Sequence, residues 1–380
     1  MSVTVRWAPS PTGNIHLGNA RPALLNWYFA RRHGGRYVLR MDDTDLARST
    51  REFADGIEAD LAWLGIQPDL LVRQSERTAL YDAARDRLIA AGRLYPCYET
   101  EEELDRKRAR ARLLGKPPIY DRAALYLTDE DRARLEAEGR VPHWRFRLDG
   151  RPVQFDDLIK GPQTVNTASM SDPVLIRADG SYLYTLPSVV DDIDLGITHI
   201  IRGEDHVSNT GTQIEIFEAL GAVPPTYAQG QGFSKRLGSQ SIADFREEGY
   251  ESLAIAIVAT LTGTSLPVEA YDSLEAIAEK LDFSMISHGS ARFDPAELDT
   301  LNARMLHAMP YADAAPRLSA LGLEGEAIWT LLRENLVKFP DIVEWSKLLT
   351  GPIEPVVAEE DREFLALAKA LLPPEPWDDT

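Results

Sequence analysis

Two stretches far apart in the chain hold the residue types that grip a polyphosphate. They are Pro9-Ser10-Pro11-Thr12-Gly13-Asn14-Ile15-His16-Leu17-Gly18-Asn19 and Ser234-Lys235-Arg236-Leu237-Gly238-Ser239. Glycines at 13 and 18 let backbone approach a ligand closely. A helix beginning just beyond them offers unpaired N–H groups and the positive end of its dipole to an anion. Lys235, flanked by small residues, supplies a cation from the other side. A second set, Arg6, Asp42 and Arg202, suits an amino acid: guanidinium groups for carboxylates, and a carboxylate for an ammonium group.

The elements that must position these residues are legible as an alternation. Val3, Val5 and Trp7 alternate as in a half-buried strand. A helix follows with Leu17, Ala20, Leu24, Trp27 and Tyr28 on one face, Pro22 in its first turn, and Gly34-Gly35 as its stop. Tyr37–Met41 reads as a second strand, ending at Asp42. Ser49-x-x-Glu52 reads as a capping box for a helix carrying Phe53, Ile57, Leu61 and Leu64. This βαβα order predicts an α/β fold with a doubly wound parallel sheet, in which ligands lie beyond the carboxyl ends of the strands. Arg6, Asp42 and Arg202 all fall near such ends.

From Tyr95 to about Leu186 the pattern changes to a basic helix, a polar helix near Asp129–Glu138, a strand at His143–Leu148 and a hairpin turning at Asp179-Gly180. This predicts an inserted α+β domain. Strand-then-helix order resumes with Thr198–Arg202 and a helix near Ser208–Leu220. After Ser241 nearly every segment reads as helix. The expected domains are therefore 1–94 with 187–245 (catalytic), 95–186 (inserted), 246–315 and 316–380 (both helical).

The 380 residues carry a formal charge of −19, which argues against a nucleic-acid partner until the distribution is considered. Residues 106–122 hold seven bases against one acid, Asp121, whereas 351–380 hold eight acids against two bases. An acidic protein with a basic stripe at Arg106, Arg108, Arg110 and Arg112 can bind RNA on one face; a solvated helix face is the plainer reading. The single cysteine, Cys97, excludes a disulfide framework and a cysteine-rich zinc site. With no signal-peptide pattern and no apolar run long enough to span a bilayer, a cytoplasmic monomer without a membrane partner is expected.

These blocks resemble class I aminoacyl-tRNA synthetases, and within them the bacterial-type glutamyl-tRNA synthetases. His16-Leu17-Gly18-Asn19 looks like the "HIGH" signature and Ser234-Lys235-Arg236 like the "KMSKS" loop. Leu39–Asp45, Tyr184–Asp192 and Ile201–His206 match further family segments in the expected order. The resemblance implies a Rossmann-like catalytic domain that activates L-glutamate with ATP and Mg2+ and transfers it to the 3′ end of tRNA. His16 and Lys235 would be the catalytic charge stabilisers. ATP would contact Pro9, Ser10, Thr12, Gly13, His16, Gly18, Asn19, Glu204, Asp205, His206, Ser234, Lys235 and Arg236. Glutamate would contact Arg6, Ser10, Asp42, Tyr184 and Arg202, with neither arginine assigned to a particular carboxylate. The inserted region would hold the tRNA acceptor end, the next helices the stem and then the anticodon.

Three departures stand out. Pro225–Lys235 is shorter than in typical members, as if a strand and part of the loop were missing, and Gly232 stands where a first lysine is common. If that is a true deletion, it puts ATP binding in doubt. The lone cysteine implies no zinc. The end at Trp377–Thr380 reads as an incomplete anticodon-binding domain. Two alternatives stay open: a paralogue that glutamylates an anticodon nucleoside of tRNA, and a non-catalytic tRNA-binding homologue. Which tRNAs are charged, glutamate tRNA alone or glutamine tRNA as well, is not written in these residues.

Overall fold

The computed structural model describes residues 2–45, 47–231, 240–289, 292–351 and 357–371. The chain divides into two compact units, 1–305 and 306–380.

In the first unit the strands are β1 (Thr4–Trp7), β2 (Arg36–Met41), β3 (Leu70–Arg73), β4 (Leu94–Cys97), β5 (His143–Phe146), β6 (Pro152–Asp157), β7 (Gly161–Asn166), β8 (Val174–Ile176), β9 (His199–Gly203) and β10 (Thr226–Gly230). They form a seven-stranded sheet in the order β3-β2-β1-β9-β10-β6-β7 and a three-stranded sheet β4-β5-β8. All pairs of the large sheet are parallel except the edge hairpin β6–β7. That hairpin extends the large sheet although its residues lie between those of the small one. The turn at Asp179-Gly180 is present, with Gly180 at φ +83° and Arg177 N–H donating to the Ser181 carbonyl.

Several elements depart from the pattern-based reading. Alternation predicted β1 half-buried, yet all four residues are buried because the strand lies between β2 and β9. Helix α1 (Leu17–Arg32) starts at the expected place, so Pro22 falls past its first turn and has no N–H to give the Gly18 carbonyl. Asn26 ties this stretch down, its amide donating to the carbonyls of Pro22 and of Ile201 on β9. Helix α2 (Arg51–Trp63) is capped by Thr50, not Ser49: the Thr50 hydroxyl accepts from Phe53 N–H. In the shortened stretch before Lys235 one strand is present, β10, paired with β9 from Thr226 to Gly230, and residues 232–239 lie outside the described residues.

The remaining helices of this unit include α3 (Thr78–Ala90), α4 (Glu101–Leu113), α5 (Asp129–Ala137), α6 (Thr185–Asp194), α7 (Val207–Ala219), α8 (Ile242–Glu248), α9 (Ser252–Leu261), α10 (Leu274–Lys280) and α11 (Pro295–Ala308), inside which the boundary between units falls. One core cluster joins β1, β2 and α1 to α9 and α10. Polar chemistry also binds α1 to α9. The buried Arg21 donates to the carbonyls of Ala259 and Thr262, where the positive charge meets the negative end of the α9 dipole.

The second unit is helical in its described residues, with α12 (Tyr311–Ala320), α13 (Glu326–Leu332), α14 (Asp341–Thr350) and α15 (Arg362–Leu371). Trp329 is its centre, fully buried, stacked on Phe339 at 5.6 Å and donating from its indole to the Met309 carbonyl.

Candidate active site

At the carboxyl ends of β1, β2 and β9 opens a cavity of about 720 Å³. Arg6 leaves β1, Asp42 follows β2, and Arg202 lies at the end of β9; all three line it. Gly18, Asn19 and Pro22 on α1 form another wall, and Tyr184, Glu204, Asp205 and His206 complete the predicted residues found there.

Charge is distributed unevenly around this cavity. Arg6 makes a two-pronged contact to Asp192, Nε to Oδ1 at 3.0 Å and Nη2 to Oδ2 at 3.2 Å. Arg40, buried behind it, reaches the same Asp192 at 3.0 Å and grips Asp42 at 2.7 and 3.1 Å. Burial opposes the charge on Arg40, but Asp42 and Asp192 outweigh it and hold its pKa up. Burial likewise raises the Asp42 pKa, with Arg40 opposing. Arg202 is different. Its Nη2 donates to Thr210 Oγ1 at 2.7 Å and its guanidinium stands over the Tyr227 ring at 5.6 Å. Among the described residues no carboxylate pairs with it. Burial first, and Arg6 next, lower its pKa to about 10.

Of the phosphate-loop residues, Gly18 and Asn19 line the cavity, whereas Pro9, Ser10, Thr12, Gly13 and His16 lie outside its lining. Asp42 N–H donates to the Pro9 carbonyl, and Thr12 N–H to that of Ser10. His16 is exposed and precedes α1 in extended conformation, and no side chain caps the helix start. A Cβ built on Gly13 or on Gly18 meets no atom within 4 Å, so protein packing does not account for these glycines. The loop is tied to a distant segment, His16 bridging Ser241 and Ile242 N–H donating to the Ile15 carbonyl. Ser234, Lys235 and Arg236 lie outside the described residues. Their flanks do not: Gln231 lines the cavity and Ser241 meets the loop.

Around His206, Asn209 donates to the Tyr184 hydroxyl at 2.6 Å, and Tyr184 stands edge-on to the imidazole. Burial, then Arg202, lower the His206 pKa, so its ring is neutral at pH 7. Glu204 is ion-paired with Lys160. Sequence reasoning missed Arg40, Ser188, Asp192 and Gln213. The available signal was the acid pair 191–192 directly after the apolar Val189-Val190 in α6.

On α4 the basic stripe is partly compensated. Arg108 pairs with Glu101 at 2.9 Å and Asp105 at 2.6 Å, and Arg106 donates to the Glu102 carbonyl. Arg110 and Arg112 are exposed, with no ion pair found among the described residues. Arg110 lines a cavity of about 560 Å³ together with Lys107, Lys116 and Arg145. The lone-cysteine argument about metals also needs refinement. Cys97, Glu99 and His143 bring potential ligand atoms within 4.8 Å of one another. Glu99 Oε1 already accepts from Lys107 and Tyr120, and burial pushes the Cys97 thiol up to about 12, whereas Glu99 Oε2 and His143 Nε2 are buried without a hydrogen-bond partner. Among the described residues, no helix is long and apolar enough to cross a membrane.

Residues 2–300 match the family model described as tRNA synthetases class I (E and Q), catalytic domain, and the chain belongs to that family. Its relatives sharpen the likeness. It is 60% identical to glutamate--tRNA ligase 2 of Methylobacterium radiotolerans, over 98% of this chain and 86% of that protein. It is 59% identical to glutamate--tRNA ligase 2 of Xanthobacter autotrophicus, over 98% and 84%. The crystal structure of a glutamate tRNA ligase from Elizabethkingia meningosepticum, in complex with its amino acid, superposes with a TM-score of 0.85 at 26% identity, covering 98% of this chain and 86% of that one.

Proposed function

We propose that this protein is a glutamate--tRNA ligase: it activates L-glutamate with ATP and transfers it to the 3′ end of glutamate tRNA, with glutamine tRNA a second acceptor to be tested. The observation that carries the reading is Arg202, a half-buried guanidinium facing the cavity without a carboxylate partner among the described residues. A charge desolvated in this way suits an anionic ligand. During activation the glutamate α-carboxylate attacks the α-phosphorus of ATP, pyrophosphate leaves, and that carboxylate loses its charge in the mixed anhydride. Arg202 therefore suits the side-chain carboxylate, which stays ionised throughout. Arg6, already balanced by Asp192, contributes a shaped wall and a shared field.

The ribose hydroxyl of tRNA then attacks the activated carbonyl and releases AMP. Neither step needs a protein nucleophile; positioning and charge stabilisation supply the catalysis. The uncapped start of α1, with His16 and the space above Gly13 and Gly18, receives the phosphates, and Lys235 supplies them with a counter-charge. Pro9, Ser10, Thr12 and Asn19 shape the nucleotide site, with Glu204, Asp205, His206, Ser234 and Arg236. Mg2+ arrives with ATP and screens its charge. Tyr184 and Ser10 complete the glutamate site, and Asp42 takes the ammonium group, its free reach shortened by Arg40.

The domain reading accompanies this: 1–94 with 187–245 catalytic, 95–186 for the acceptor end through Arg106, Arg108, Arg110 and Arg112, 246–315 for the stem, and 316–380 for the anticodon. The relatives' names over nearly the whole chain favour this function over the nucleoside-modifying paralogue and the non-catalytic binder. ATP–pyrophosphate exchange with glutamate and tRNA, followed by aminoacylation of both tRNAs, tests it. Absence of glutamate-dependent exchange would overturn the reading.

A further inference from the structure

Two guanidinium groups face the same cavity, yet their immediate neighbours differ in kind. Arg6 rests on a carboxylate, Asp192. Arg202 rests on neutral groups: the Thr210 hydroxyl, the Tyr227 ring and the side chain of Gln229. Gln229 is fully buried on β10, directly across from Arg202 in the β9–β10 register. Its backbone N–H donates to Asp157 Oδ1 at 3.2 Å, which fixes the residue from the other side. With the amide oriented so that both its oxygen and its nitrogen are satisfied, Oε1 accepts from Arg202 Nε at 3.2 Å and Nη2 at 3.3 Å, and from the Thr210 hydroxyl at 2.6 Å. The guanidinium is thus held by one edge of its fork.

We propose that Gln229 is a positioning and specificity residue, whose neutral amide oxygen aims Arg202 into the cavity while leaving its charge unspent for a substrate carboxylate. A hydrogen-bond acceptor is needed here, because an apolar neighbour would let the fork turn away and leave buried donors unmet. A charged acceptor would be worse. A carboxylate at this distance would pair with Arg202 in a poorly solvated place and remove the demand for an anionic ligand. The site would then tolerate an amide side chain about as well as a carboxylate. Rejection of glutamine would therefore depend on the residue behind the arginine as well as on the arginine itself.

This rests on the reading in which Arg202 receives the side-chain carboxylate of glutamate, and the test separates the two. Arg202→Ala, Gln229→Met, Gln229→Glu and Thr210→Val are assayed by ATP–pyrophosphate exchange with glutamate and with glutamine, in the presence of tRNA, alongside thermal unfolding. Gln229→Met should raise the KM for glutamate about tenfold, the size of one hydrogen bond to a charged group, while the KM for ATP stays unchanged. Gln229→Glu should raise it about 100-fold and lower the glutamate-to-glutamine preference more than Gln229→Met does. Should Gln229→Glu not fold, Gln229→Met and Thr210→Val carry the test through the same split between the two KM values. A merely structural role would shift unfolding and both KM values together, with discrimination intact, and that outcome overturns the proposal. If Arg202→Ala loses glutamate activation while every Gln229 variant keeps wild-type KM and preference, the positioning role fails and the carboxylate site stands. If Arg202→Ala itself keeps wild-type exchange, the carboxylate site falls, and the Gln229 proposal falls with it.

Discussion

The β1–β2 side of the cavity and the β9–β10 side use the same side chain in opposite ways. On the first, Arg6 and Arg40 share Asp192, and Arg40 also holds Asp42, so positive and negative charge nearly cancel within the fold. On the second, Arg202 is surrounded by dipoles and an aromatic face, and its charge is left over. The first arrangement serves architecture, because buried ions are tolerable only when paired. The second serves binding, because it raises the energy of the empty site and lowers it when an anion enters. Helix α4 repeats the contrast at the surface, with Arg108 compensated and Arg110 and Arg112 not.

Breaking the compensated side should cost the most. Asp192→Asn strips the shared counter-charge from two buried guanidinium groups and should lower unfolding free energy by about 3–5 kcal/mol, measured by denaturant titration; a loss under 1 kcal/mol would mean the cluster is structurally idle. On the opposite side, Arg202→Ala should reduce glutamate-dependent exchange by about 10²–10³-fold with little change in melting temperature. Equal damage to stability in both variants would erase the distinction between the two sides.

A pH series sharpens it further. The folded-state pKa of His206 is lowered by burial and by Arg202, below its unfolded value. As pH falls through the ordinary imidazole range near 6.5, the unfolded chain takes up a proton first. Stability conferred by neutral His206 is therefore complete above that range and declines as pH drops toward the folded value. His206→Gln should flatten part of the stability loss between pH 7 and 5; His143 and His199, lowered by burial too, keep the rest. An unchanged slope would show that the fold does not lower the His206 pKa. Smallest of all, Arg110→Ala and Arg112→Ala should each reduce the salt-dependence slope of tRNA binding by about 1, and Arg108→Ala by less. Equal slopes for all three would return the stripe to a solvated surface.

What could be read from the chain follows from the range of each interaction. The strand–helix alternation, the start of α1 and the left-handed stop at Gly34 are set by neighbours within a few residues, and they were legible. The placing of Arg6, Asp42 and Arg202 at strand ends followed from the same alternation. Their state of charge did not. Asp192 lies 186 residues from Arg6, and Gln229 meets Arg202 only through the register of two parallel strands. The edge hairpin β6–β7 escaped for the same reason, since no local pattern says which sheet a strand will join. Ser49 alone satisfied the motif, with Glu52 three residues on, yet Thr50 is the cap because either hydroxyl can accept a helix N–H and backbone geometry selects one.

The Arg21 contacts to the end of α9 carry one more consequence. The helix that begins at the glycine loop is fastened to a partner more than 230 residues later in the chain. Lesions in residues 252–262, none of which lines the cavity, should therefore surface in kinetics as altered nucleotide affinity. Selection on one half of such a joint is felt in the other, and neither half can drift alone.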